Sequence, residues 1–103
     1  NNIIMTTTIK EQNGEIVAFF EGSLDTAAAQ KTEKDIQPLL TADKNIVLNC
    51  EKLEYISSSG LRIILQILKA AKPRGLHVSA TGMNKDILKV FTLTGFNNLL
   101  ELK

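Results

Sequence analysis

Apolar positions along this chain follow two periods, and the switches between them mark out its elements. The stretch from Ile3 to Lys10 is rich in Thr and Ile and reads as a strand. Asn13-Gly14 is a tight-turn signal. Glu15 to Glu21 follows as a second strand, with Ile-Val-Ala-Phe-Phe at its centre, so the two runs form a hairpin. Gly22-Ser23-Leu24-Asp25 then ends the strand and opens a helix, with Ser23 or Asp25 as its N-cap. Thr26 to about Thr41 is helical on a weak pattern in which Ala29, Thr32, Ile36, Leu39 and Leu40 share a face. Pro38 conflicts with one continuous helix, because it lacks an N–H and clashes with the preceding turn. A break is therefore expected near Gln37.

Asn45 to Cys50 holds the continuous apolar run Ile46-Val47-Leu48, the pattern of a central strand buried on both faces. Glu51-Lys52-Leu53-Glu54 reads as a polar connection, and Tyr55-Ile56 leads into Ser57-Ser58-Ser59-Gly60. The helix from about Ser58 to Lys72 has the clearest periodicity, with Leu61, Ile64, Leu65 and Leu68 at i, i+3, i+4 and i+7. Ile63 and Ile67 widen the arc, and Pro73-Arg74-Gly75 stops it. Leu76 to Ala80 alternates as a strand. Asn84 caps a third helix, with Ile87, Leu88 and Phe91 on one face and Gly95 as its C-terminal cap. Asn97 to Lys103 supplies a short last strand. The order β-β-α-β-α-β-α-β predicts an α/β domain. Its mixed sheet has an N-terminal hairpin followed by parallel strands, with helices mainly on one face.

Composition narrows the function more by exclusion than by assertion. At 103 residues the chain reads as a single domain over 1–103, with room for one core. Twelve Lys and Arg balance eleven Asp and Glu, which gives no electrostatic reason to propose nucleic acid or an anionic membrane as the main partner. No segment approaches the roughly 20 apolar residues of a membrane span. Asn1-Asn2-Ile3-Ile4-Met5 lacks the basic start and apolar run of a secretory signal. With its lone thiol, Cys50, the chain is expected in a reducing, cytoplasmic setting. His77 has no second His or Cys nearby in sequence, so neither metal nor cofactor is expected.

The chemistry concentrates in the serine turn. A hydroxyl at a helix start caps free backbone N–H groups, and the same N–H groups and helix dipole favour a phosphate. Capping alone accounts for three serines there. Catalysis is a poor fit: the Gly-x-Ser-x-Gly elbow is absent, no Gly-rich phosphate loop ends in Lys-Ser/Thr, and no catalytic residue is assigned.

Two segments, Gly22-Ser23-Leu24-Asp25 and Asn49 to Leu61, together resemble the STAS domain shared by sulfate transporters and bacterial anti-sigma factor antagonists. The resemblance extends over nearly the whole chain, including Leu93-Thr94-Gly95-Phe96. It implies a phospho-acceptor at Ser58, a neighbouring hydroxyl at Ser59 and the motif glycine at Gly60. It also implies that Asp25 lies near this turn on a partner-binding surface with Ser57, Ser58, Ser59, Gly60 and Arg62. The implied partners are an anti-sigma factor that is also a serine kinase, and a serine phosphatase, with the chain a monomer or weak dimer. Unmodified, it would bind the anti-sigma factor and release the sigma factor. One departure stands out, because Ser57 occupies the position of the family's aspartate. That leaves open no phosphorylation at all, modification at Ser57 or Ser59 instead, or a differently built partner. Arg62 is a candidate cation beside a phosphate. The alternative function is a constitutive STAS subunit of a phospholipid-transport ATPase complex or a stress-signalling assembly.

Overall fold

The computed structural model describes residues 4–103, so Ile3 and the chain start lie outside the described residues. Strands β1 (Thr6–Gln12) and β2 (Glu15–Leu24) pair antiparallel from Thr6↔Glu21 to Gln12↔Glu15. Asn13 and Gly14 join them with φ of 53° and 80°, the double positive φ of a type I′ hairpin turn. Next come β3 (Ile46–Ile56), β4 (Val78–Thr81) and β5 (Glu101–Leu102), each parallel to its predecessor. The sheet order is β1-β2-β3-β4-β5. Each crossover from β2 onward advances in one direction, so the right-handed rule puts the connecting helices on one face, as the element order predicts.

Those helices are α1 (Thr26–Asp35), α2 (Gln37–Leu40), α3 (Ser58–Ala71) and α4 (Lys85–Thr94). The break foreseen at Pro38 separates α1 from α2, and the proline sits in the first turn of α2, where its missing N–H costs nothing. The core gathers Phe20 and Leu24 of β2, Leu48 of β3, Ile64 and Ile67 of α3, and Phe91 of α4, all fully buried. Each such side chain contributes about 1.5–3 kcal/mol. Helix α3 buries Ile63, Ile64, Ile67 and Leu68, whereas Leu61 and Leu65 are only half-buried. Its inward face is thus turned toward α1 and α2, both of which it touches, relative to the stripe read from sequence.

Three strand expectations are corrected. Val47 and Asn49 are half-buried, because no helix covers the second face of β3, so the run Ile46-Val47-Leu48 does not reflect burial on both faces. Val78 rather than Leu76 begins β4, and Leu76 N–H instead donates to Ala71 O at 3.2 Å. The supposed polar connection Glu51–Glu54 belongs to β3, and β2 runs on to Leu24 beside it.

Two bulges explain why that part of β3 escaped the alternation rule. Relative to β2, β3 inserts a residue between the pairs Phe19↔Asn49 and Glu21↔Lys52, and another between Gly22↔Leu53 and Ser23↔Tyr55. Strict period-2 pleating would send Cys50 and Leu53 to opposite faces, and likewise Leu53 and Ile56. The extra residues bring all three inward, where each is buried. The bulges have supports. A Cβ on Gly82, which has φ +72°, would collide with the Glu51 side chain and crowd its backbone N and Cα at 3.1 Å. The Asn84 side chain donates to Leu53 O at 3.3 Å and Glu54 O at 3.4 Å, while its Oδ1 accepts from Ile87 N–H at 2.9 Å to cap α4.

Candidate functional site

The last rung between β2 and β3 is Leu24↔Ile56, and the chain leaves both strands there to start a helix. Asp25 follows one strand and Ser57 the other, so the N-caps of α1 and α3 lie side by side at the carboxyl ends of neighbouring parallel strands. In open α/β sheets this is where ligands and partners are met. Asp25 Oδ1 accepts from Ala28 N–H at 2.9 Å, which selects Asp25 over Ser23 as the α1 cap. Ser57 Oγ accepts from Gly60 N–H at 3.2 Å. Ser57 N–H donates to Leu24 O at 2.9 Å, tying the serine turn to the end of β2.

The three serines have different surroundings. Ser57 is half-buried and its oxygen is engaged by the cap. Ser58, the first residue of α3, is exposed. Ser59 is half-buried in a cleft of about 270 Å³ between α1 and α3, which Thr26, Gln30, Glu33, Arg62 and Gln66 also line. Across it, Gln66 Nε2 donates to Glu33 Oε2 at 2.7 Å, locking the two helices together. Arg62 is exposed, four residues after Ser58 and therefore on the same side of α3. Among the described residues no carboxylate lies within ion-pair distance of it.

Gly60 is buried because the first turn of α3 presses onto the strand ends. A Cβ there would lie 2.7 Å from Leu24 Cγ, 2.8 Å from Ile56 Cγ1 and 2.9 Å from Leu24 O. Four backbone N–H groups at a helix start lack helical partners. Ser57 N–H and Gly60 N–H are satisfied as described, which leaves those of Ser58 and Ser59 pointing outward with the positive end of the helix dipole. The turn is thus rigid beneath and open above.

Asp25, Ser57, Ser58, Ser59, Gly60 and Arg62 all lie at or within one turn of the two helix starts. Sequence reasoning missed the supports beneath this site. Gly82 and Asn84 hold the β3 bulges that aim the serine turn, and a glycine two residues before a capping asparagine at a strand end was the available signal. It also passed over Tyr55, which precedes the turn and is 53% exposed. Elsewhere, Cys50 is buried, and burial pushes its thiol up to about 12. His77 is exposed, and no group of three or more His, Cys, Asp or Glu among the described residues is arranged to hold a metal ion. No helix among them is long and apolar enough to cross a membrane.

Comparison with known proteins places this geometry. BtrV of Bordetella bronchiseptica, a candidate anti-sigma factor antagonist by name, is 26% identical over 99 residues, covering 95% of this chain and 85% of BtrV. The crystal structure of a candidate anti-sigma factor antagonist from Thermotoga maritima superposes with a TM-score of 0.84 at 21% identity, covering 93% of this chain and 84% of that one. The anti-sigma factor antagonist SpoIIAA in its unphosphorylated form superposes at 0.77 with 18% identity, covering 95% and 88%, and the Bacillus cell fate determinant SpoIIAA in its phosphorylated form at 0.72, also with 18% identity, covering 95% and 91%. These solved structures share the five-stranded mixed fold. The family profile of the STAS domain matches residues 6–103, and on that match this chain belongs to the STAS domain family.

Proposed function

We propose that this chain is an anti-sigma factor antagonist, a binding module rather than an enzyme, switched by phosphorylation of Ser58. The observation that carries the reading is the contrast within the serine turn. Ser57 is committed to the cap and Ser59 is turned into the cleft, while Ser58 is exposed on a ledge fixed by Gly60 and Leu24. The names of the relatives, and the two solved states of SpoIIAA, point the same way.

In its unmodified form the surface around Asp25, Ser58 and Arg62 docks onto an anti-sigma factor that is also a serine kinase, and the sigma factor is released. Phosphorylation of Ser58 adds a charge of about −1.5 to −2 at pH 7 and three acceptor oxygens. The fold tolerates them, because the free N–H groups of α3, its dipole and Arg62 at i+4 all favour negative charge at that point. A docked interface does not. There the dianion is desolvated beside Asp25, so affinity falls while the fold stays intact. A serine phosphatase resets the switch. Ser57 in place of the family's aspartate preserves the cap and removes a carboxylate from beside the acceptor.

The test is to measure circular dichroism and binding to the anti-sigma factor of the same cell for Ser58→Asp, Ser58→Ala and wild type. Phosphopeptide mass spectrometry across residues 57–59 of the native protein accompanies it. Retained folding in all three, about tenfold or greater loss of binding in Ser58→Asp alone, and a phosphate on residue 58 are expected. Equal binding by all three would refute the switch and leave the constitutive-subunit reading.

A further inference from the structure

At the opposite end of α3 from the serine turn, roughly 20 Å away along a fourteen-residue helix, lies a groove of about 700 Å³. Leu68, Val78 and Leu100, all buried, form its floor. Leu65 and Leu76, half-buried, and Leu99, 55% exposed, form its walls. The groove exists because β5 has only two paired residues and α4 is short. The turn Phe96–Asn98 then returns the chain to the sheet without covering the lower part of α3 and β4.

Its rim is basic. Lys69, Lys72 and His77 line it with Glu101 as the single acidic lining residue, and Arg74 lies in the adjoining turn Lys72–Arg74. Among the described residues, none of Lys69, Lys72 and Arg74 has a carboxylate within ion-pair distance. A helix C-terminus favours cations through its dipole, which accounts for the placement of Lys69 and Lys72. It does not account for leucines left open between them and Leu99. A contiguous apolar surface with a polar rim that is net positive is the anatomy of a docking site.

We propose that this groove binds an acidic amphipathic helix of a second protein, apolar residues inward and carboxylates against Lys69 and Lys72. Charge decides the occupant. A second copy of this chain in a two-fold interface would bring one net-positive patch onto another, with a single Glu101 on each side against two lysines. A helix with Leu-type residues at i, i+3, i+4 and i+7 fills an apolar trough, and acidic flanks complement this rim. The site does not involve Ser58, so its occupancy is independent of the switch.

The probe is a synthetic peptide of about four helical turns with that leucine spacing and Glu at the flanks, beside a counterpart carrying Lys for every Glu. Amide ¹H–¹⁵N spectra of the whole chain report where each binds. Saturable shifts at Leu65, Leu76 and Leu99, with the Lys peptide at least about tenfold weaker, are expected. Lys69→Glu with Lys72→Glu should invert that preference. Leu99→Glu should remove binding while leaving the dispersed spectrum of the folded protein. Equal binding of the two peptides, shifts confined to the serine turn, or no saturable shift would overturn the proposal. So would tighter association with phosphatidylglycerol vesicles than with the acidic peptide, or self-association of wild type that Leu99→Glu abolishes.

Discussion

Replacing Gly60 by alanine tests whether the serine turn is held from beneath. The new methyl group would sit 2.7 Å from Leu24 Cγ, 2.8 Å from Ile56 Cγ1 and 2.9 Å from Leu24 O. Carbon atoms in good contact are about 3.5–4.0 Å apart, so every one of these approaches is repulsive. Leucine and isoleucine tips could turn aside, but the carbonyl cannot, because it is backbone and accepts Ser57 N–H at 2.9 Å. The start of α3 must therefore lift, straining that bond and loosening the packing below. Overpacking of this kind costs about 1–3 kcal/mol. Alanine recovers up to about 1 kcal/mol of helix propensity, and less in the first turn. A net loss of about 1–2 kcal/mol follows, or a fall of about 4–16 °C in Tm for a domain of this size. Urea and thermal denaturation of Gly60→Ala beside wild type read the difference. Ser58→Ala, at an exposed position, serves as the control and should stay within about 0.5 kcal/mol. A Gly60→Ala variant as stable as wild type would refute the account of a turn clamped by close approach.

Ser57→Ala removes the acceptor for Gly60 N–H and should cost about 1 kcal/mol, whereas Ser57→Asp keeps a cap and should match or exceed wild type in the same denaturation series. Cys50, with its thiol pushed up to about 12 by burial, should resist a thiol-specific disulfide reagent at pH 8 in the native state and react fully in concentrated urea. The raised value also carries a sign. The folded state holds the proton longer than the unfolded chain, so this contribution to stability is complete below the ordinary thiol value of 9.0 and is lost as pH climbs toward 12. The urea midpoint of wild type, measured against Cys50→Ala, should fall over that window.

The elements most legible in the sequence were those whose signals are local. Asn13-Gly14 sets a hairpin by its own φ preferences, and Pro38 breaks a helix wherever the rest of the chain goes. Asp25, Ser57 and Asn84 cap helices through bonds to N–H groups three residues on. Gly95, with φ 82°, ends α4 by the same kind of short-range logic. The helical period of α3, though not the exact face it buries, and the order of strands and helices follow from periodicity, and together they specify an α/β sheet with its helices on one side.

Contacts between segments far apart in the chain were beyond that reach. The second half of β3 looked polar because two bulges cancel the alternation, and a bulge is defined by the partner strand, not by the bulged one. Gly60 showed its purpose only once Leu24 and Ile56 lay beneath it, as Gly82 did only against Glu51. The family resemblance singled out Ser58 by its place in the motif, but its exposure, beside a committed Ser57 and a cleft-facing Ser59, arises from α1 packing along α3. Short-range backbone chemistry wrote the list of elements, while how far each of three equivalent hydroxyls is exposed depends on surroundings that only the folded chain assembles.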